Sequence, residues 1–380
     1  MPYRAPAAPA SGPTAPAHHR PDVAAPLRPF PMGGGFHLRE LDLTLSTAWH
    51  PRALEWEATT RGWMEDVLAG TGRDRPLLEA CVRDAPWWAC LCYPATVDED
   101  RMADVLRVTI CFFLMDDAIY TSHLARGSIG DLLEEFVQIW ADPRARPATA
   151  LGHFLAGTWR GMSRRMPPGL RERWIAATAA FADGTAREIG ARADGRDLDP
   201  SAYRQMRDDS MAAAVVHLLG EYSTGLDMSQ EIAARPERFT RIWQVANDHL
   251  LDVNDLLSFR KEYCDGNDFQ HSLVYTGVTV DGLTLQQSVD RLCTRIEETE
   301  RRFRALSQEF PEPRMRRYLR QVERGIAGSR DYSLIAYRYH GPGFARRHGG
   351  GYVPARTSGW LTLTPRRTSL TDGPAVPVAT

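Results

Sequence analysis

The chain has 380 residues, of which 43% are hydrophobic, and its formal net charge is −2. This length and composition allow a substantial core in one large domain or two medium ones. The charge argues against nucleic acid as a partner. The absence of an apolar run of ~18–20 residues argues against a membrane span. Because residues 1–20 also lack an apolar leader and the cysteines are scattered, we expect a cytoplasmic protein. We expect either a monomer or a homodimer.

The two ends of the chain differ in composition from its middle. Residues 1–35 are rich in Pro and Ala and predict a disordered tail. Residues 346–380 hold Gly, Thr and Pro with little periodicity and predict a flexible C-terminal tail. Between them apolar residues recur at helical spacing, for example over residues 132–140, and prolines interrupt the pattern. The sequence therefore predicts an all-α protein, with residues 36–345 forming one helical bundle and an active site in its core.

The first acidic candidate site is Asp116-Asp117, which directly follows the uncharged residues 109–115. The apolar pattern extends backwards far enough to predict one helix over about residues 100–123. A carboxylate pair at the end of a buried helix costs free energy unless it is hydrated, paired or bound to metal. The pair therefore predicts either a solvated helix end or a metal site.

A second candidate site comprises Asn254, Ser258 and Glu262, which recur at i, i+4 and i+8. On a helix, these side chains stack along one face, since each step of four residues turns by about 40°. An amide, a hydroxyl and a carboxylate are oxygen donors, which suit Mg²⁺ better than zinc or copper. An ordinary polar helix face is the alternative. Lys261, the only lysine of the chain, lies within this segment and has a point charge suited to a phosphate oxygen.

Four motifs together resemble those of the microbial class I terpene synthases. Residues 254–262 resemble the second metal-binding motif of that family, and Asp116-Asp117 resembles its aspartate-rich motif. Arg207 lies where the family has a diphosphate-sensing arginine, and Arg338-Tyr339 resembles its C-terminal Arg-Tyr pair. The order and spacing of the four motifs carry much of this resemblance, which covers about residues 40–345.

The resemblance implies the class I terpenoid synthase fold and a site that binds Mg²⁺, with three ions in the closed complex. The implied metal ligands are Asp116, Asn254, Ser258 and Glu262. The implied diphosphate-binding residues are Arg207, Lys261, Arg338 and Tyr339. Of these two sets, the resemblance implies catalytic roles for Asp116, Arg207, Arg338 and Tyr339. Asp117 is implied to form a salt bridge when the site closes. The candidate pocket residues are Phe112, Phe113, Met211, Asn247 and Tyr332.

This chain departs from the family pattern at three points. The aspartate-rich motif usually has a third acidic residue in the region that residues 119–121 occupy here. Tyr332 stands where the family often has a tryptophan, and Ser210-Met211 replaces a frequent Asp-Gly pair. These changes leave metal binding in place as an expectation and leave the product open.

The function implied by the resemblance is that of a terpene cyclase. Such an enzyme ionises a linear prenyl diphosphate, releases diphosphate, and cyclises the carbocation to a terpene hydrocarbon or alcohol. Farnesyl diphosphate is the favoured substrate, and geranylgeranyl diphosphate is the alternative because Ala212, Ala213 and Ala214 leave room near the sensing arginine. A chain-elongating prenyl transferase and an inactive helical binding protein of the same fold are the competing functions.

Overall fold

A computed structural model describes residues 34–69, 75–121, 129–142, 144–193, 200–265, 272–341 and 343–363. The larger helices of this part are α1 (Ala53–Ala69), α2 (Arg75–Cys92), α3 (Glu99–Thr121), α4 (Ile129–Ala141), α5 (Ala150–Arg165), α6 (Pro168–Ala193), α7 (Pro200–Ser210), α8 (Ala213–Thr224), α10 (Pro236–Leu257), α13 (Leu285–Gln308) and α14 (Pro313–Ile335). The short helices are α9 (Ser229–Ala234), α11 (Phe259–Asp265), α12 (Leu273–Thr279) and α15 (Tyr337–His340). The predicted all-α bundle is confirmed. None of the described helices is long and apolar enough to cross a membrane.

Prolines define where several helices begin. Helices α6, α7, α10 and α14 start at Pro168, Pro200, Pro236 and Pro313. Proline suits the first helical position because its φ is already helical and its missing N–H would have no intrahelical acceptor there. The helix predicted over residues 100–123 is confirmed as α3.

The core consists of apolar clusters between the helices. One cluster contains Trp140, Trp159 and Trp174, which bring α4, α5 and α6 together through aromatic contacts with centroids 4.8, 5.3 and 6.3 Å apart. Large aromatic side chains bury much apolar surface each, so this contact fixes the three helices against one another.

Two short antiparallel ribbons lie near the ends of the described chain. Strand β1 (Gly35–Leu38) pairs with β4 (Gly359–Thr362), with Gly35 opposite Thr362. Strand β2 (Ala345–His348) pairs with β3 (Gly351–Pro354). The prediction of a flexible tail from residue 346 is therefore wrong where β2, β3 and β4 form, up to residue 362. The low periodicity of this segment gave no indication of which strands pair. Residues 1–33 and 364–380 of the predicted tails lie outside the described residues, and the domain boundaries stay a prediction.

The β1–β4 ribbon packs against α11. Phe36 of β1 contacts Phe259 with ring centroids 6.4 Å apart, and Arg260 Nε donates a hydrogen bond to the Thr362 carbonyl at 2.9 Å. Since α11 also carries Lys261 and Glu262, the two ends of the described chain brace the helix that holds part of the candidate metal motif.

Candidate active site

A cavity with an empty volume of about 1410 Å³, counting the space at its open mouth, lies between the helices. Its charged and strongly polar lining residues are Asp116, Glu188, Arg207, Asn254, Lys261, Glu262, Arg338 and Tyr339. Its aromatic and aliphatic lining residues include Trp88, Phe112, Phe113, Phe181, Met211, Val215, Val216, Leu219, Leu250 and Tyr332. Side chains from sequence motifs more than 200 positions apart thus face one space, with ionic groups and aromatic rings on its walls.

Asn254 lies near the C-terminal end of α10 and contacts two other predicted site residues. Its Oδ1 accepts a hydrogen bond from Arg207 Nη2 at 3.1 Å, and its Nδ2 donates to Tyr339 Oη at 3.1 Å. One amide side chain therefore connects α10 with α7 and α15. The pKa of Tyr339 is raised to about 12 by burial, so its hydroxyl is neutral and available as a donor.

Ser258 marks the junction between α10 and α11. The Ser258 N–H donates to the Asn254 carbonyl at 2.8 Å, and the Glu262 N–H donates to the Ser258 carbonyl at 3.1 Å, so i,i+4 bonding crosses the junction. The register predicted for the three residues is therefore kept, although the helix is divided at Ser258. Its side chain is 2% exposed and Oγ donates to the Asn254 carbonyl at 2.6 Å. Ser258 is not among the cavity-lining residues, but its donating hydroxyl retains oxygen lone pairs for a metal.

Asp116 stands near the end of α3 and pairs with Arg338. Arg338 Nη2 donates to Asp116 Oδ2 at 2.6 Å. The arginine side chain is 6% exposed, whereas the aspartate side chain is 53% exposed. The Arg338 guanidinium also lies 5.1 Å from the centroid of the Phe113 ring, a cation–π distance. The side chain of Asp117, predicted to form a closure salt bridge, lies outside the described residues.

Arg207 is held by acceptors on two sides. Its Nη1 lies 3.2 Å from Glu188 Oε2, a carboxylate on α6, and donates to Ser210 Oγ at 3.4 Å. Its Nη2 bonds Asn254, as described above. The buried carboxylate of Glu188 thus orients the guanidinium toward the metal motif, since a planar fork has few ways to satisfy three acceptors.

Asp84 of α2 fixes the short helix that carries Arg338 and Tyr339. Its carboxylate is fully buried and accepts hydrogen bonds from the backbone N–H groups of Tyr337 at 3.0 Å and Arg338 at 2.7 Å. These are donors at the start of α15, which lack partners within the helix. Asp84 is therefore a positioning residue for the Arg-Tyr pair.

The apolar wall is built from interlocked aromatic rings. Phe112 contacts Phe181 edge-on with centroids 5.1 Å apart. The ring centroid of Phe113 lies 6.1 Å from that of Trp88 and 5.9 Å from that of Tyr332. Because ring faces attract cations without forming bonds to them, these walls can hold a carbocation away from water.

Two polar residues of α10, Asn247 and Asp255, do not line the cavity. Asn247, predicted to line the pocket, has its Oδ1 2.9 Å from His217 Nε2 and is not among the lining residues. Asp255 is buried and accepts from Tyr203 Oη at 2.9 Å and from the Leu273 N–H at 2.7 Å. Asp255 therefore connects α10 with α7 and α12, a structural role beside Asn254.

Several site residues have no signal in the sequence. Asp84 accepts from the backbone of Tyr337 and Arg338, and Glu188 pairs with Arg207. Trp88 and Phe181 lie on α2 and α6 with no adjoining motif. An isolated polar or aromatic residue in an amphipathic helix has no periodic pattern that distinguishes a site residue from a core residue.

The donor set fits a hard divalent cation. Asp116, Asn254, Ser258 and Glu262 offer carboxylate, amide and hydroxyl oxygens, and the cavity lining within the described chain includes no cysteine or histidine. Arg207 and Arg338 hold the same Asn254 and Asp116 oxygens that the motif assigns to metal. The two guanidinium groups thus bind the same side-chain oxygens that a metal ion would use as ligands.

Comparisons with known proteins agree with this geometry. A family model described as terpene synthase family 2, C-terminal metal binding, matches residues 107–302. Microbial terpene synthase-like protein 13 of Selaginella moellendorffii is 23% identical, over 84% of this chain and 92% of that protein. Sesquiterpene synthase 1 of Postia placenta is 25% identical, over 68% of this chain and 76% of that protein. The structure of a linalool/nerolidol synthase from Streptomyces clavuligerus superposes with a TM-score of 0.66 at 20% identity, covering 78% of this chain and 98% of that one, and shares the fold.

Proposed function

Because this chain belongs to terpene synthase family 2 and carries its metal-binding domain, we propose that it is a class I terpene cyclase that uses Mg²⁺ to ionise a linear prenyl diphosphate. One observation carries the proposal. Oxygen donors and guanidinium groups line the same cavity as Phe112, Phe113 and Tyr332. A substrate with a charged head and an apolar tail requires both kinds of wall.

The head of the substrate is a leaving group with several negative charges. Arg207, Lys261, Arg338 and Tyr339 would donate hydrogen bonds to its oxygens, the arginines through their planar forks. Donors already fixed in position stabilise charge as it develops on the leaving oxygen. Glu188 and Asp84 hold two of these groups in place before substrate arrives.

Asp116, Asn254, Ser258 and Glu262 are the residues that would hold Mg²⁺, three ions in all. Bound Mg²⁺ would act as a Lewis acid on the diphosphate and as a template for its orientation. The chain's own contribution would be an exchange of partners, in which Arg338, now paired with Asp116, and Arg207, now bonded to Asn254, would turn to diphosphate. The ionic contacts of the described structure therefore place cation-binding and anion-binding groups side by side.

The tail of the substrate would lie against the aromatic wall. Phe112 and Phe181 meet edge to face and both border the cavity, so aromatic ring faces would be available to the tail. Such faces stabilise positive charge on carbon and exclude water. The carbocation can then close rings before it loses a proton or meets a nucleophile.

We favour farnesyl diphosphate as the substrate and keep geranylgeranyl diphosphate as the alternative. The relative from Postia placenta is named a sesquiterpene synthase, which supports a 15-carbon substrate. The cyclic product, a hydrocarbon or an alcohol, depends on the contours of the wall. A cytoplasmic location and a monomeric or homodimeric state stay predictions from the sequence.

The test is to incubate purified protein and Mg²⁺ with geranyl, farnesyl or geranylgeranyl diphosphate and to analyse extracts by gas chromatography–mass spectrometry. We expect a cyclic terpene from one substrate, with release of diphosphate that EDTA abolishes. Product formation only after addition of isopentenyl diphosphate would identify a chain-elongating prenyl transferase. Absence of diphosphate release from a folded protein with any of the three substrates would indicate an inactive binding protein.

A further inference from the structure

A threonine hydroxyl on the wall of the active-site cavity has no hydrogen-bond partner among the described residues. Thr185 of α6 is 3% exposed and borders the cavity, and its Oγ1 is buried without a partner within hydrogen-bonding distance in that part of the chain. A buried hydroxyl without a partner destabilises the fold. A hydroxyl in this position therefore suits a partner that the ligand supplies.

Other buried threonines of the helices bond to their own helix. Thr109, Thr158 and Thr178 each donate to the carbonyl four residues earlier, at 2.8, 3.0 and 3.1 Å. This local bond is a common way for a helical threonine to satisfy its hydroxyl. Thr60 of α1 resembles Thr185 in being buried without a partner in the described part of the chain, but Thr60 does not border the cavity. Thr185 thus combines an available hydroxyl with a place on the cavity wall.

Thr185 lies between the charged and the aromatic parts of that wall. Phe181, Thr185 and Glu188 recur at i, i+4 and i+7 and share one face of α6. Glu188 pairs with Arg207 at the charged end, and Phe181 contacts Phe112 at the aromatic end. Along the helix axis, Thr185 lies about 4.5 Å from Glu188 and about 6 Å from Phe181. The boundary between the diphosphate and the apolar chain of a bound substrate would fall at this level.

The backbone beside Thr185 is fixed against the end of α7. A Cβ added at Gly184 would lie 2.5 Å from Asp209 Cβ and 2.8 Å from the Ser210 nitrogen, so the two helices are in close contact there. Arg207 belongs to the last turn of α7. This contact therefore holds Thr185 in a fixed position relative to the arginine assigned to diphosphate, and a donor fixed in advance needs no reorganisation when charge develops.

We propose that Thr185 is a further catalytic residue, whose hydroxyl donates a hydrogen bond to the ester oxygen of the prenyl diphosphate as the C–O bond breaks. This inference rests on the proposed cyclase function. The electron pair of the C–O bond moves to the ester oxygen, the carbon becomes an allylic cation, and the oxygen leaves as part of inorganic diphosphate. The hydroxyl keeps its proton throughout, so no further reactant is needed. Because the oxygen gains negative charge during this step, the hydrogen bond is stronger in the transition state than in the bound substrate.

Thr185→Val is the informative variant, because valine keeps the branched shape of threonine and removes only the hydroxyl. The substrate-free variant should melt no lower than the native protein, since the lost hydroxyl has no partner among the described residues. Thr185→Ser keeps a hydroxyl at the same position. Thr60→Val is the matched control, because it also removes a buried hydroxyl that lacks a described partner, but at a place away from the cavity.

The first measurement is the rate of diphosphate release in a single turnover, which reports the chemical step even where product release limits kcat. The substrate is whichever of geranyl, farnesyl or geranylgeranyl diphosphate the native protein turns over with Mg²⁺. We expect Thr185→Val to lower this rate by about 10–100-fold, since Mg²⁺ and the arginines share the developing charge. Thr185→Ser should recover most of the rate, and Thr60→Val should match the native protein. An unchanged rate in Thr185→Val would overturn the proposal, even if its product mixture changed.

The second measurement separates this inference from the proposed function. In a calorimetric titration with inorganic diphosphate and Mg²⁺, Thr185→Val should bind about tenfold more weakly than the native protein, and Thr60→Val should bind equally well. If the native protein binds diphosphate but releases none from a prenyl substrate, the cyclase function fails and the titration still tests the contact. Equal affinity in Thr185→Val, or a lower melting temperature of its substrate-free form, would overturn the role of the hydroxyl. A native protein that binds no diphosphate would overturn both.

Discussion

Arg338 Nη2 and Asp116 Oδ2 lie 2.6 Å apart, so an arginine from α15 near the end of the bundle pairs with a carboxylate from α3. The arginine is buried and held at its backbone by Asp84, whereas the aspartate is half-exposed. The fixed partner is thus the group assigned to diphosphate, and the accessible partner is the group assigned to metal. Metal binding at Asp116 and diphosphate binding at Arg338 should therefore be coupled, because each ligand competes with the ion pair for one of its two members.

Arg338→Lys tests the need for the guanidinium fork. Lysine keeps the positive charge but loses the planar pair of donors. We expect kcat/KM for diphosphate release to fall by about 10–100-fold, which corresponds to roughly 1.4–2.7 kcal/mol. Arg241→Lys is the control, since Arg241 pairs with Glu309 on the surface. Equal kinetics for the two variants would show that Arg338 contributes charge alone.

Replacement of Asn254 or Glu262 by alanine should abolish diphosphate release while the helical circular dichroism signal stays unchanged. Each change removes an oxygen donor from the Mg²⁺ motif and leaves the apolar core intact. Activity should be measured across a wide range of Mg²⁺ concentrations to detect weakened binding. Retained activity in both variants would remove the metal assignment.

Asp255→Asn is the comparison within the same motif. Asp255 accepts from Tyr203 and from the Leu273 backbone rather than facing the cavity. An asparagine oxygen replaces only part of the paired carboxylate, so we expect a loss of about 1–3 kcal/mol in the free energy of unfolding. The Mg²⁺ concentration needed for half-maximal activity should change less than in Glu262→Ala. The opposite pattern would make Asp255 a metal ligand.

Much of this site could be predicted because its signals are local. Asn254 and Glu262 repeat at helical spacing, and hydrogen bonds across Ser258 preserve that spacing in the structure. Asp84 could not be predicted, because its role depends on a contact with a helix more than 250 positions away. The β1–β4 ribbon could not be predicted either, because four-residue strands carry almost no periodicity and their pairing joins opposite ends of the described chain.

Phe112→Ala should change the product mixture more than the rate of diphosphate release. Phe112 contacts Phe181 in the cavity wall and carries no polar group that could bind diphosphate or metal, so its loss reshapes the space around the carbocation. Product ratios by gas chromatography–mass spectrometry report this directly. Phe154→Ala is the control, since Phe154 is a partly buried core residue that does not line the cavity. An unchanged product profile in Phe112→Ala would assign Phe112 to core packing.

Removal of β4 should weaken metal binding without unfolding the bundle. Thr362 accepts from Arg260, and β1 packs on Phe259, so the ribbon holds the helix that carries Glu262. Deletion of residues 356–380 should raise the Mg²⁺ concentration for half-maximal activity by about tenfold, the usual effect of losing support behind a ligand. Deletion of residues 364–380 alone, which keeps β4, is the control. The same Mg²⁺ requirement in both truncations would separate the ribbon from the site.

Glu300→Gln should destabilise the fold in a pH-dependent manner. Glu300 is fully buried and accepts from the backbone of Thr44 at 2.6 Å and Leu45 at 2.8 Å, from His249 at 3.1 Å, and from Arg330. Burial alone would raise the pKa of Glu300, but the bond from His249, the charge of Arg330 and the Leu45 N–H together lower it to about 2. We expect a loss of about 1–3 kcal/mol at neutral pH, because the charge of Glu300 opposite Arg330 is removed while Arg330 keeps Asp331 as its second carboxylate partner.

The sign of the pH dependence follows from the lowered pKa of Glu300. The unfolded chain binds the Glu300 proton near the ordinary value of 4.5, and the folded protein binds it only near 2. The stabilisation is thus complete above pH 4.5 and is lost as the pH falls toward 2. The difference in unfolding free energy between the native protein and Glu300→Gln, measured by urea denaturation, should therefore shrink across this interval. A difference that stays constant from pH 6 down to the acid limit of folding would show that the carboxylate charge does not carry the stabilisation.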